Sequence, residues 1–198
     1  MALVLNGSAN TIGGLAVGGL PDGIVDTDTL ASSVNTIRAA QQFRLAANQA
    51  GSNSTGTVLT NWEEVDTDYQ AIGSVWSQSS GIFSASTTGI YLCMYNLTAY
   101  DASTQDAFDP NIQISTDSGS NYTTRSSSWS TAIGTGANSQ SVNNQLMIDV
   151  SNTSTFRLRY RESEDNAVAS STTILGSSNM SFTNILFIRL GATLDGRN

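Results

Sequence analysis

The side chains that most often carry enzyme chemistry are nearly missing from this chain. It contains no His and one Cys, and its eight basic residues are all Arg. A Ser-His-Asp or Cys-His nucleophile therefore has no base, a His-built metal site has no ligands, and a phosphate-cradling loop has no Lys. Cys93 falls inside the most apolar stretch, where a small buried side chain is expected rather than a reactive thiol. The sixteen acidic residues offer carboxylates in plenty, but nothing in their spacing singles out a glycosidase pair. Asp117-Ser118-Gly119-Ser120-Asn121 alternates oxygen side chains as a calcium loop does. It lacks the distal bidentate Glu and the flanking helices, so a plain hairpin turn is expected. The reading is of a protein that is not an enzyme and has no cofactor or metal.

Binding chemistry is better represented. Trp62 sits beside Glu63, Glu64 and Asp66, Trp76 and Trp129 lie further along, and Arg157, Arg159 and Arg161 share one face of a strand by their period of two. Such residues could hold a glycan, with Trp62, Trp129, Arg157 and Arg159 as the candidate contacts. The structural reading is favoured for each: Trp62 as a plug in the end of a sandwich, and the Arg row neutralised by Glu162, Glu164 and Asp165. A net charge of -8 with no basic cluster argues against nucleic acid and against anionic membranes.

These side chains need a scaffold, and the composition points to an all-β one. Charged residues are only 12% of the chain, and Ser, Thr, Asn and Gly suit strands and turns better than long helices. Gly81–Tyr100 reads as strand, turn at Gly89, strand. Along its second half, Tyr91, Cys93, Tyr95 and Leu97 face one way while Ile90, Leu92 and Met94 face the other. A strand apolar on both sides needs a second cover, either a loop of its own chain or a neighbouring subunit. The closing strand Phe182–Leu190 repeats the pattern, and two such strands favour a subunit. Ile112–Ser115, Tyr122–Arg125, Trp129–Ile133, Gln145–Val150 and Thr155–Tyr160 are further expected strands, and Gln42–Leu45 is the first.

Ahead of them, the Gly-rich residues 1 to 26 read as an extended arm, its apolar clusters too short to form a core alone. Leu30, Val34, Ile37 and Gln41 have helical spacing, with Asp28 or Thr29 as N-cap, so a short helix is expected from Asp26 to about Ala40. The division is then residues 1–40 as arm and helix and 41–198 as one sandwich domain. Met1–Gly7 has neither a basic n-region nor a sustained apolar run, so no secretory signal and no membrane span is expected.

Gly81-Ile82-Phe83 followed by Gly89-Ile90-Tyr91 resembles the G-x-F…G-x-Y signature of the trimeric jelly rolls of the complement and tumour-necrosis-factor superfamily. Leu146–Tyr160 and Phe182–Ile188 resemble its later segments. The chain departs from the pattern at Ser86, at Asn184 and at Ser151-Asn152. The resemblance implies an antiparallel jelly-roll β-sandwich forming a homotrimer, with Leu92, Met94, Phe182, Leu186 and Ile188 at the threefold axis and Tyr91, Cys93 and Tyr95 inside the sandwich. Asn6–Asp26 and Asn61–Tyr69 are similar to segments of virion structural proteins from tailed bacteriophages of marine and cyanobacterial hosts. That likeness implies a tail fibre, knob or capsid decoration, assembled in a bacterial cytoplasm and displayed on the particle exterior. Its arm would dock on capsid, portal or tail proteins through Leu3, Leu5, Ile12, Leu15, Val17, Leu20 and Ile24. The alternative is an adhesin module that recognises a host surface glycan.

Overall fold

The structure, a computed structural model, describes residues 4–6, 11–13, 37–51, 56–66, 68–101, 107–130, 138–164 and 172–193. The chain divides into two units, residues 1–36 and 37–198. In the first, β1 (Val4–Asn6) and β2 (Thr11–Gly13) pair antiparallel, with Leu5 opposite Ile12. Most of the expected helix lies outside the described residues. Its expected end does not form: Ala39 and Ala40 open strand β3 (Ala39–Leu45). There the period of two prevails over helical spacing, because Ala39, Gln41, Phe43 and Leu45 are all buried on one side.

The second unit continues with β4 (Ala47–Ala50), β5 (Thr57–Val58), β6 (Trp62–Glu64), β7 (Trp76–Ser79), β8 (Ile82–Ala85), β9 (Gly89–Asp101) and β10 (Phe108–Ser115). It closes with β11 (Thr123–Ser127), β12 (Asn138–Val150), β13 (Arg157–Glu164), β14 (Thr172–Ser177) and β15 (Asn184–Gly191). One sheet runs β4-β14-β9-β15-β3-β6 with β12 on the other edge of β9, and the second runs β11-β10-β13-β8-β7 with β5 beside β13. Every pairing is antiparallel, and strands far apart in sequence lie side by side, as when β15 inserts between β3 and β9. This is the expected jelly-roll sandwich.

The two layers meet through aromatic rings. Phe83 packs on Phe43 at 5.3 Å between centroids, on Tyr160 and Phe187 at 5.6 Å each, and on Trp62 at 5.8 Å. Trp76 stacks on Phe187 at 4.2 Å and 15°. Edge and offset contacts of this kind add to the burial of apolar area. From β9, Tyr91, Cys93, Tyr95, Leu97 and Ala99 complete the inner layer, none more than 1% exposed.

Polar groups inside this layer are held by specific partners. Gln41, 0% exposed, accepts from the backbone N–H groups of Val75 and Trp76 at 2.6 Å each, which ties β3 to the start of β7. The Cys93 Sγ lies 2.6 Å from the Tyr160 hydroxyl. Burial pushes the Cys93 thiol up to about 12, the Tyr160 contact opposing it, and burial likewise raises Tyr95 and Tyr160 well above the usual phenol range.

Both glycines of the signature are sterically required. Gly81 has φ +81° and a Cβ there would collide with the Leu59 carbonyl, while Gly89 has φ +152° and its Cβ would lie 2.5 Å from the Gly191 carbonyl oxygen.

Phe83→Ala removes the ring shared by both sheets and should destabilise the fold by about 3–5 kcal/mol in urea unfolding, with Gly81→Ala lowering it by about 1–3 kcal/mol. Because the Cys93 thiol ionises near 9 when unfolded and at about 12 when folded, its contribution is intact below pH 9 and declines as pH rises from there. Unfolding free energy measured against pH should fall across that window, and less steeply in Cys93→Ala.

Candidate functional site

With the inner faces of β9 and β15 committed to the core, alternation turns their other side chains outward. The register lines them up in rungs across the sheet. Met147, Leu92, Ile188 and Ala40 form one rung, and Gln145, Met94, Leu186 and Gln42 form the next. Asn143, Asn96, Asn184 and Arg44 form a third. The face therefore grades from aliphatic and thioether groups at one end to amides at the other. Leu92, Met94, Leu186 and Ile188 are half-buried in the single chain and Met147 is 64% exposed. A hollow of about 350 Å³ opens across the second and third rungs, lined by Gln42, Met94, Asn96, Gln145, Asn184 and Leu186 among others.

Arg44 closes one end of the third rung. It is 2% exposed, and its Nε donates to Glu63 at 2.7 Å while Nη2 donates to Asp66 at 2.6 Å. The Glu63 hydrogen bond raises its pKa above the ordinary guanidinium value against the cost of burial. The acidic cluster beside Trp62 thus neutralises an internal Arg.

Phe182 differs from the other four axis residues expected from the resemblance. It precedes β15, it is 37% exposed, and its carbonyl accepts from Asn96 Nδ2 at 2.6 Å and Thr98 Oγ1 at 3.0 Å. Met147 and the amides of the third rung belong to the same face and were not singled out in the sequence. Their signal was the alternation of Asn143, Gln145 and Met147 along β12, which becomes legible only once β12 is known to border β9. In the arm, Leu5 and Ile12 are cross-strand partners. Leu3, Leu15, Val17, Leu20 and Ile24 lie outside the described residues.

The glycan candidates do not converge. Trp62 is 4% exposed, its Nε1 donates to the Leu59 carbonyl at 2.8 Å, and its ring is enclosed by Phe83, Tyr95 and Tyr160. It plugs the sandwich and offers no platform for a sugar. Trp76 is likewise buried. Arg157 and Arg159 point outward from β13 but are engaged: Arg157 Nη1 donates to the Thr153 and Phe156 carbonyls at 3.2 and 2.6 Å. Arg159 lies 3.9 Å over the Tyr122 ring and donates to Gln113 Oε1 at 2.8 Å. Burial lowers the Arg159 pKa from its ordinary value. Of the acidic residues expected to neutralise the row, Glu162 is 0% exposed and shares the inward face of β13 with Leu158 and Tyr160, while the side chains of Glu164 and Asp165 lie outside the described residues. Trp129, expected in a strand, instead follows the end of β11 and is 60% exposed.

The Asp117 turn is closed by its own hydrogen bonds. Asp117 Oδ1 accepts from Ser115 Oγ at 2.6 Å and from the Asn121 N–H at 2.9 Å, and Oδ2 accepts from Asn121 Nδ2 at 2.7 Å. The carboxylate is occupied with shaping the turn. The hydrogen bond from Ser115, followed by those from Asn121, lowers its pKa to about 2.

The topology and core define an antiparallel jelly-roll sandwich. Among solved structures, the chain resembles murine APRIL at pH 8.0, with TM-score 0.52, 14% identity, and coverage of 77% of this chain and 98% of that one. Murine APRIL at pH 5.0 gives TM-score 0.53 and 12% identity with the same coverage. Eiger TNF from S. frugiperda gives TM-score 0.49 and 12% identity, over 80% of this chain and 96% of that one. At these identities the likeness to APRIL is one of fold. No protein-family model and no curated protein matches the sequence.

Since the Asp117 carboxylate is favoured in the folded turn, its contribution holds above pH 3.8 and disappears as pH falls toward 2. Carbon-detected NMR should place its titration near 2, and amide exchange at Asn121 should quicken as that proton binds. A titration at the ordinary value would contradict the turn geometry.

Proposed function

We propose that this chain is a structural protein of a tailed-phage particle, acting as a homotrimer rather than as an enzyme. The observation that carries the reading is the outward face of β9 and β15, where Leu92, Met94, Leu186 and Ile188 stand in cross-strand register beside Met147. Apolar side chains so aligned gain free energy when a flat partner removes them from water, at about 25 cal/mol per Å². A closed symmetric assembly covers the same face in every copy and leaves none to aggregate. The sequence resemblance to trimeric jelly rolls supports three copies in particular.

The particle is supported by the likeness of Asn6–Asp26 and Asn61–Tyr69 to virion proteins of tailed phages. On this reading the Gly-rich arm docks on capsid, portal or tail proteins and the jelly roll faces outward. The scarcity of charge and the single buried Cys suit assembly in a reducing cytoplasm.

Sedimentation equilibrium should find three copies per assembly. Leu92→Asp combined with Leu186→Asp places charge in adjoining rungs and should yield folded single subunits, with association at least about a hundredfold weaker than wild type. A wild-type chain that sediments as one folded subunit would sink the trimer. Removal of residues 2–25 should leave the oligomer soluble and absent from particles; continued incorporation would sink the anchor.

A further inference from the structure

We propose that Trp129 is the platform of a binding site for a neutral sugar, set in the groove between the chain end of β11 and strand β12. The site borders the amide end of the outward sheet face, with which it shares Asn143, and it needs neither the trimer nor the particle. Trp129 is the indole left exposed at 60%, whereas Trp62 and Trp76 are 4% and 3% exposed. Its backbone is pinned on both sides. Ser128 Oγ donates to the Asn143 carbonyl at 3.0 Å and also bonds Asn144 Oδ1, while Ser130 N donates to the Phe108 carbonyl at 3.0 Å and Ser130 Oγ accepts from Phe108 N at 2.7 Å. The ring is thus displayed by a segment the fold has already ordered, so little further entropy is lost when something stacks on it.

Beside the indole lies a groove of about 480 Å³. Ser139, Ser141 and Asn143 occupy alternate, exposed positions along its β12 wall, and Ser141 Oγ is fixed by Thr98 Oγ1 at 2.9 Å. None of the described residues lining the groove carries a charge. A flat apolar ring with hydroxyl and amide groups beside it matches a pyranose, whose C–H face stacks while its hydroxyls exchange hydrogen bonds. An acidic sugar or a phosphate would meet no charged side chain among the described residues that line the groove. A purely apolar ligand would strand the hydroxyls it covered.

The test uses the full chain and the fluorescence of Trp129, the indole that a quencher can reach. Methyl glycosides of glucose, galactose, mannose, N-acetylglucosamine and N-acetylgalactosamine are titrated with acrylamide present, and sialyllactose serves as the acidic comparison. At least one neutral glycoside should protect the indole, and Trp129→Ala should weaken its binding, read by calorimetry, at least about tenfold with an unchanged melting curve. Asn143→Ala should weaken it less. The proposal is overturned if no neutral glycoside protects the indole, if binding persists in Trp129→Ala, if sialyllactose is preferred, or if acrylamide cannot reach Trp129 in the free protein because another copy covers it.

Discussion

The ring of Phe83 sits where the two sheets must agree. It contacts Phe43 and Phe187 of one layer and Tyr160 of the other, with Trp62 closing over it. Edge-to-face contacts tolerate little sliding, so they fix the offset between the sheets as well as their separation. Once Tyr91, Tyr95 and Phe187 are committed to that interlock, the next residue on each strand has only the outside to occupy. Leu92, Met94, Leu186 and Ile188 are outward because the aromatic residues are inward.

The face that results is not uniform, and its gradient has energetic content. The Met147-Leu92-Ile188 rung gains from contact with any apolar surface, since hydrophobic burial is non-directional. The Asn143-Asn96-Asn184 rung gains only when donors and acceptors meet, and loses when they are covered without partners. In the proposed assembly, the first rungs supply attraction and the third selects the register. Arg44, held by Glu63 and Asp66, keeps the far edge of that polar rung from presenting an unneutralised charge.

The Trp129 groove follows a different logic. It lies where the edges of the two sheets approach, with Ser126 and Ser128 reaching the backbone of β12. Because this border carries Ser128, Ser130, Ser139 and Ser141, the groove stays open and no described residue lining it is charged, while the Trp129 ring stands clear. The sheet face suits a broad macromolecular contact; the groove suits a small polyhydroxylated molecule.

Much of the fold was legible in the chain because alternation is a local property. The double-sided pattern of β9, the glycines at Gly81 and Gly89, and the repeat of the pattern in β15 can all be read from neighbouring residues, and they specified an all-β chain with two strands apolar on both sides; the jelly roll and the choice of outward face came from the resemblance of those segments to trimeric jelly rolls. Ala39 and Ala40 were misread because an apolar spacing that fits a helix also fits a strand until the partner strand is known; β15 and Ile72 supply that partner. The fates of Trp62 and Trp129, and of Glu162 and the Arg row, were undecidable in sequence for the same reason. Strand period says which residues share a side, but burial depends on which distant segment crosses over that side. By itself, then, the sequence determined the alternation, the turns and the want of His and Lys. The tertiary structure alone decided which tryptophan is core and which is surface, because only the packed sheets determine where water is excluded.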